Sequence, residues 1–333
     1  MKLVTFEHNG RRLLGALVGD TVIDLQAAHT MQRFTMKDGD DLLPNEMNAF
    51  LALGSEAIDI AKKVQTWFVD RGSPAEVESE RIAWPLGEVT LLAPVPKPTS
   101  MRDGYAFRQH VEAARRNRGV EMIPEFDEIP IFYFTNHNAV TGPGEVEVMP
   151  LHCDKLDFEL ECAIVIGKEG RNISAAEADE YIAGYMVMND WSARALQMHE
   201  MKLNLGPAKG KDFATSIGPW LVTRDEIADR RIPGEHGERY DLVMTTTVNG
   251  TEVSRGNVKD MSWTFAQIIE RVSYGVNLYP GDVIGSGTVG TGCFLELNGS
   301  KVYEPAWWLK PGDVVVCEIE ALGRLENTLK LAE

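Results

Sequence analysis

The chain has 333 residues, 44% of them apolar and 25% charged, a globular composition that excludes disorder, collagen and coiled coil as descriptions of the whole. Thirty-three Lys and Arg stand against fifty Asp and Glu, a formal net charge of −17 with His neutral, so neither nucleic acid nor an anionic membrane is an expected partner. This length suits one large domain or two unequal ones.

Residues 1–28 alternate short apolar runs with turn signals at Asn9-Gly10 and Gly19-Asp20, the pattern of small antiparallel hairpins. The start reaches Glu7 and Arg11 before any apolar run develops, and no stretch approaches ~18 uninterrupted apolar residues. The sequence therefore predicts a soluble, cytoplasmic protein without a membrane span. Helical spacing runs from about Met47 to Val69. Leu91 to Pro98 carries prolines at 94, 96 and 98, which favours extended geometry and marks a boundary between an accessory domain, 1–93, and a catalytic domain, 94–333.

Beyond it strand signals dominate: Asp157 to Gly167, Gly184 to Trp191, and Leu242 to Ser254 with a turn at Asn249-Gly250. Tyr279-Pro280-Gly281-Asp282 and Lys310-Pro311-Gly312-Asp313 each place a Pro-Gly turn ahead of a β-branched strand. Short strands with repeated turns predict a mixed, β-rich α+β fold with a rolled, barrel-like core and a small α+β domain in front. Cys153, Cys162, Cys293 and Cys317 form no C-x-x-C pair and read as apolar fillers.

Two loops imitate phosphate sites. Gly285-Ser286-Gly287-Thr288-Val289-Gly290 fits G-x-G-x-x-G, but the residues after it read as another strand and turn where a helix is required. Gly206 to Lys211 has one residue too few between its glycines, and Asp212 stands where Ser or Thr would bind Mg²⁺. Both are set aside.

The chemistry points to Asp157-Phe158-Glu159-Leu160-Glu161-Cys162. On a strand Glu159 and Glu161 share one side while Phe158, Leu160 and Cys162 pack on the other. Such a pair alone is most often a solvated face. The apolar run Gly184 to Met188, ending in Asn189-Asp190, supplies a third carboxylate that solvation explains poorly. Together they would make an oxygen-only site for a hard divalent cation: Mg²⁺, Mn²⁺ or Ca²⁺.

On these motifs, with Asn189 to Arg194, Gly210 to Trp220 and Gly285 to Thr288 in matching order, the sequence resembles the fumarylacetoacetate hydrolase family over most of residues 96–333. The resemblance implies metal ligands at Glu159, Glu161 and Asp190. Asp103 matches a further ligand, or else caps a helix suggested by Ala106 to Arg118. It implies Lys211 and Thr215 lining the metal and substrate pocket, with Lys211 catalytic in stabilising the negative oxygen alongside Gln197; Tyr105, Arg194, Gln197 and Thr288 at substrate positions; and a catalytic His110–Glu296 pair that activates water. The implied reaction is metal-dependent hydrolysis of a C–C bond in a 1,3-diketo acid of acylpyruvate or fumarylacetoacetate type, by a homodimer serving aromatic-compound breakdown. A keto-acid lyase or isomerase on the same metal, such as an oxaloacetate-type decarboxylase or a hydratase, is the alternative; a non-catalytic metal-binding module is a remote one.

Departures affect the substrate. Residues 115–134 do not match the fumarylacetoacetate-specific enzyme, leaving Arg115, Arg116 and Arg118 as candidates to grip a carboxylate; Met201 replaces an aromatic contact, and Thr135 stands where many relatives have Lys. The polar, arginine-rich run from Gly104 to Ile131 reads as a cover over the site.

Overall fold

The computed structural model describes residues 1–36 and 42–332. Strands Lys2–His8, Arg11–Val18 and Thr21–Asp24 form the expected meander, and Asn9 and Gly10 both take positive φ, as a tight hairpin turn with the right twist requires. Helices Leu25–Met36, Met47–Ala52 and Ser55–Asp70 cover one face of it. The helical spacing from Met47 to Val69 is thus two helices, parted at Gly54, whose φ of +67° suits glycine.

The meander continues the main sheet, because Lys2 and Leu3 pair antiparallel with Val222 and Leu221. That sheet has twelve strands, ten of them in an open path that passes through Thr215–Val222, Ile182–Asp190, Leu160–Ile166, Val283–Gly285, Met101–Gly104 and Phe132–Phe134. A five-stranded sheet, which includes the hairpin Val243–Val248 and Thr251–Asn257, packs against it. The fold is mixed α+β, as expected, and among the described residues the rolled core does not close into a barrel.

Leu160–Ile166 sits at the centre and is buried along its whole length. Its even positions, Leu160, Cys162, Ile164 and Ile166, join the core shared with Met244, Cys317 and Leu325 of the second sheet. Ala163 and Val165 face the other core, with Leu3, Phe50 and Val64 of the N-terminal part. One strand therefore serves two cores, the arrangement that lets it present Glu161 from deep inside the molecule. The four cysteines are free, and among the described residues no helix is long and apolar enough to cross a membrane.

Candidate active site

Register brings distant acids to one place. Glu161 lies on the central strand, Asp190 ends its antiparallel neighbour, and Asp103 stands on Met101–Gly104, paired through Gly285 to the other side. Glu159 precedes the central strand, where the Asn189 side chain accepts from its amide at 2.9 Å. One oxygen each of Asp103, Glu159, Glu161 and Asp190 falls within 4.8 Å of the others, and all four residues are buried. Asp103 does not cap a helix: the helix Arg108–Asn117 starts after Phe107 without a side-chain cap, and Asp103 Oδ1 accepts the Gly287 amide at 3.1 Å.

The glycines of the G-S-G-T segment explain this crowding. A Cβ on Gly285 would meet Asp103 Oδ1 at 2.6 Å and Glu161 Oε2 at 2.9 Å, so only glycine leaves room for both carboxylates. The Gly287 amide donates to both acids.

The phosphate-site readings fail for a better reason than the one drawn from sequence. Residues 294–299 are a helix, not the expected strand, but the amides of Phe294 and Leu295 at its start are already bonded to the Asp157 carboxylate. In the 206–211 loop, Ala208 and Gly210 give their amides to Glu200.

Two cations balance part of the acid charge. Lys211 Nζ bonds Glu159 and reaches Asp190 Oδ2 at 2.7 Å, while Arg194 bridges Asp157 at 2.8 Å and Glu159 at 2.7 Å. Burial alone would raise Glu159, but Lys211 and Arg194 outweigh it and hold this carboxyl well below its usual range. Burial, and then the charge of Asp190, pushes Asp103 up to about 7; burial and Asp103 push Glu161 up strongly.

Five carboxylates thus face two cations, and Asp190 Oδ1 and Glu161 Oε1 are buried without a hydrogen-bond partner. Orphaned buried oxygens on two acids of a four-carboxylate cluster, all of hard oxygen type, fit a divalent cation such as Mg²⁺, Mn²⁺ or Ca²⁺.

The electrostatics carry a sign that can be measured. Asp103 has a folded value near 7 against 3.8 in a free chain, so its contribution to stability is greatest at low pH and is lost as pH rises toward 7. The chelated protein is therefore expected to melt at a lower temperature at about pH 8 than at about pH 5, with the stabilisation by Mg²⁺ growing over the same interval. Thermal melts with chelator and with Mg²⁺ check this; a Mg²⁺ effect that shrinks with rising pH would contradict it.

Beside the cradle His110, 6% exposed, shares a 2.6 Å hydrogen bond between Nδ1 and Glu296 Oε2. The Thr291 amide holds the other Glu296 oxygen at 2.9 Å. With Nδ1 committed to the carboxylate, Nε2 is the nitrogen left for chemistry. Tyr105 meets the imidazole edge-on, with ring centroids 5.8 Å apart. Gln197 Oε1 accepts from Arg194 at 3.0 Å, which leaves its NH₂ as the group free to face a ligand. Thr215 is the register partner of Asp190, and Thr288 follows Gly287; both are buried.

Of the three arginine candidates, Arg118 is the one whose charge bears on Tyr105. Met201 is exposed, and Thr135 is buried with its hydroxyl unpartnered. Sequence reasoning missed Tyr133, which lies opposite Asp103 on the edge strand Phe132–Phe134 and donates its hydroxyl to Asp190 Oδ2 at 2.7 Å.

A sequence model described as the fumarylacetoacetate (FAA) hydrolase C-terminal domain matches residues 99–330. The chain belongs to the fumarylacetoacetate hydrolase family. As a member of the fumarylacetoacetate hydrolase family it is an enzyme, with a small molecule as its substrate. It is 32% identical to "Oxaloacetate tautomerase FAHD2A, mitochondrial" of Homo sapiens over 86% of this chain and 81% of that one. It is 30% identical to "Oxaloacetate tautomerase YisK" of Bacillus subtilis (strain 168) over 99% of this chain and all of that one. A crystal structure of maleylpyruvate hydrolase from Sphingobium sp. SYK-6 in complex with manganese (II) ion and pyruvate shares the fold, with a TM-score of 0.68, 19% identity and full coverage of both chains.

Proposed function

We propose that this family member moves a proton between carbon and oxygen of a short keto diacid, and that keto–enol tautomerisation of oxaloacetate is its reaction. The observation that carries this reading is the buried His110–Glu296 pair set beside the carboxylate cradle. Identities of 30% and 32% to proteins named oxaloacetate tautomerases support it.

Held by Asp103, Glu159, Glu161 and Asp190, a divalent cation would supply Lewis acidity that favours the enolate form of the substrate. The remaining work belongs to side chains. Glu296 fixes the imidazole with Nδ1–H directed at itself, so Nε2 takes the proton from the methylene carbon and returns it at oxygen, or the reverse. Lys211 offsets the charges of Glu159 and Asp190. Gln197 and Tyr105 donate to the oxygen on which negative charge builds, and Arg118 meets the far carboxylate.

The same pair favours a second reading. If His110 takes its proton from water instead, hydroxide adds to the distal carbonyl of an acylpyruvate or fumarylacetoacetate; the C–C bond breaks with its electron pair leaving as the enolate of the shorter keto acid, and the proton on His110 returns to that carbon, giving an acid and the keto acid. The wider reading includes a homodimer, for which exposed Leu151, Leu203 and Leu205 are candidate contact residues, and a division into accessory and catalytic parts between residues 93 and 94.

A substrate panel separates the reactions. Loss of enol absorbance from oxaloacetate should accelerate with Mg²⁺ or Mn²⁺ and return to the buffer rate with chelator. Cleavage of acylpyruvates without any effect on oxaloacetate would replace the first reading with the second.

A further inference from the structure

Asp157 takes no part in the chemistry proposed above, yet it is completely buried and both of its oxygens are engaged. Oδ1 accepts the amides of Phe294 at 2.7 Å and Phe158 at 3.0 Å. Oδ2 accepts the Leu295 amide at 2.9 Å and Arg194 Nε at 2.8 Å. The first amides of a helix have no carbonyl of their own helix to bond, so Asp157 satisfies donors that would otherwise be buried and unpaired.

That helix, Phe294–Gly299, carries Glu296 and therefore the orientation of His110. On its other side Asp157 grips Arg194, whose Nη2 holds Glu159 Oε1 at 2.7 Å. A guanidinium is planar and rigid, so the two carboxylates it bridges are held at a fixed separation. The result is an unbroken run of bonds from the cradle to the base: Glu159, Arg194, Asp157, the helix, Glu296, His110. A cap alone would not need this geometry, since any small acceptor satisfies helix amides, and Cys293 Sγ already accepts the Glu296 amide at 3.5 Å.

We propose that Asp157 is a positioning residue that locks the helix bearing Glu296 to the acidic cradle through Arg194, so that filling the cradle steadies the base. This rests on the cradle and base assigned above, but not on which substrate is turned over.

Hydrogen exchange on the full chain tests it, with Mg²⁺ as the probe and calorimetry to follow binding. In the unmodified protein Mg²⁺ should raise protection of the Phe294, Leu295 and Glu296 amides by about tenfold, although none of them lies among the ligands. Asp157→Asn keeps a carbonyl for the helix but loses the charge that holds Arg194. It should erase most of that gain and lower kcat about 10- to 100-fold, with Mg²⁺ affinity and KM within about threefold. Mg²⁺ binding without any response at 294–296 overturns the proposal, as does an Asp157→Asn protein with full kcat. If that variant does not fold, the unmodified protein decides alone. Absence of Mg²⁺ binding overturns this proposal together with the cradle, whereas an intact amide response in a protein inert toward oxaloacetate overturns only the assigned reaction.

Discussion

His110→Ala is expected to lower kcat by ~10²–10⁴, the range a positioned general base contributes, while Mg²⁺ affinity stays nearly unchanged. The separation follows from placement: the imidazole is tied to Glu296 and lies outside the four-carboxylate cradle. Glu296→Gln should give a smaller loss of the same kind, because the amide still contacts Nδ1 but no longer carries the charge that favours the imidazolium formed as the proton is taken. Steady-state kinetics on oxaloacetate and an acylpyruvate, with calorimetry of Mg²⁺ binding, measure both. An unchanged kcat for His110→Ala would remove the imidazole from the mechanism.

The second large effect lies in the cradle, and at Glu161 it has opposite signs with and without cation. Glu161→Gln and Asp190→Asn should each weaken Mg²⁺ by about 100-fold or more, equivalent to about 2.7 kcal/mol, because each removes a charged ligand whose orphaned oxygen has no other partner. In chelator, Glu161→Gln should melt at or above the temperature of the unmodified protein, since a neutral group there relieves the crowding that raises Glu161 and Asp103. Asp190→Asn lacks this compensation: it deprives Lys211 of a partner inside the protein. Calorimetry and paired melts distinguish the two variants; unchanged Mg²⁺ affinity in both would place the cation elsewhere.

Much of this site was legible because its residues sit in strands, where a period of two assigns faces directly. Alternation put Leu160 and Cys162 in a core with Glu161 on the opposite side of the strand, Asp190 stood out as an acid ending an apolar run, and it was the family resemblance that grouped these acids with Glu159 and Asp103. The helix Phe294–Gly299 was not legible in this way. Its Leu-Glu-Leu-Asn alternates like a strand over four residues, and the first amides of the helix are held by Asp157, 137 positions earlier. Tyr133 was missed for a similar reason, since its partner Asp190 is 57 residues away and nothing local marks the contact. The proposed cover divides in the structure: His110, Val111 and Ala113 are packed inward, while Arg118 to Glu121 is exposed. A charged run therefore located the surface correctly but not the buried face of the helix preceding it.

The central strand that faces two cores has a consequence for how the molecule comes apart. Neither core is complete without it, and the bonds that finish the cradle, from Gly287 to Glu161 and to Asp103, close loops of 126 and 184 residues. Contacts of such long range form late and make folding slow. Carboxylates drawn together at that stage still repel, so the cradle is expected to assemble after the barrier rather than at it, which Mg²⁺-dependent folding and unfolding rates would check. A cation held there consequently acts on the way out: it retards unfolding far more than it hastens folding, and resistance to proteolysis and heat becomes a matter of how long the native state persists.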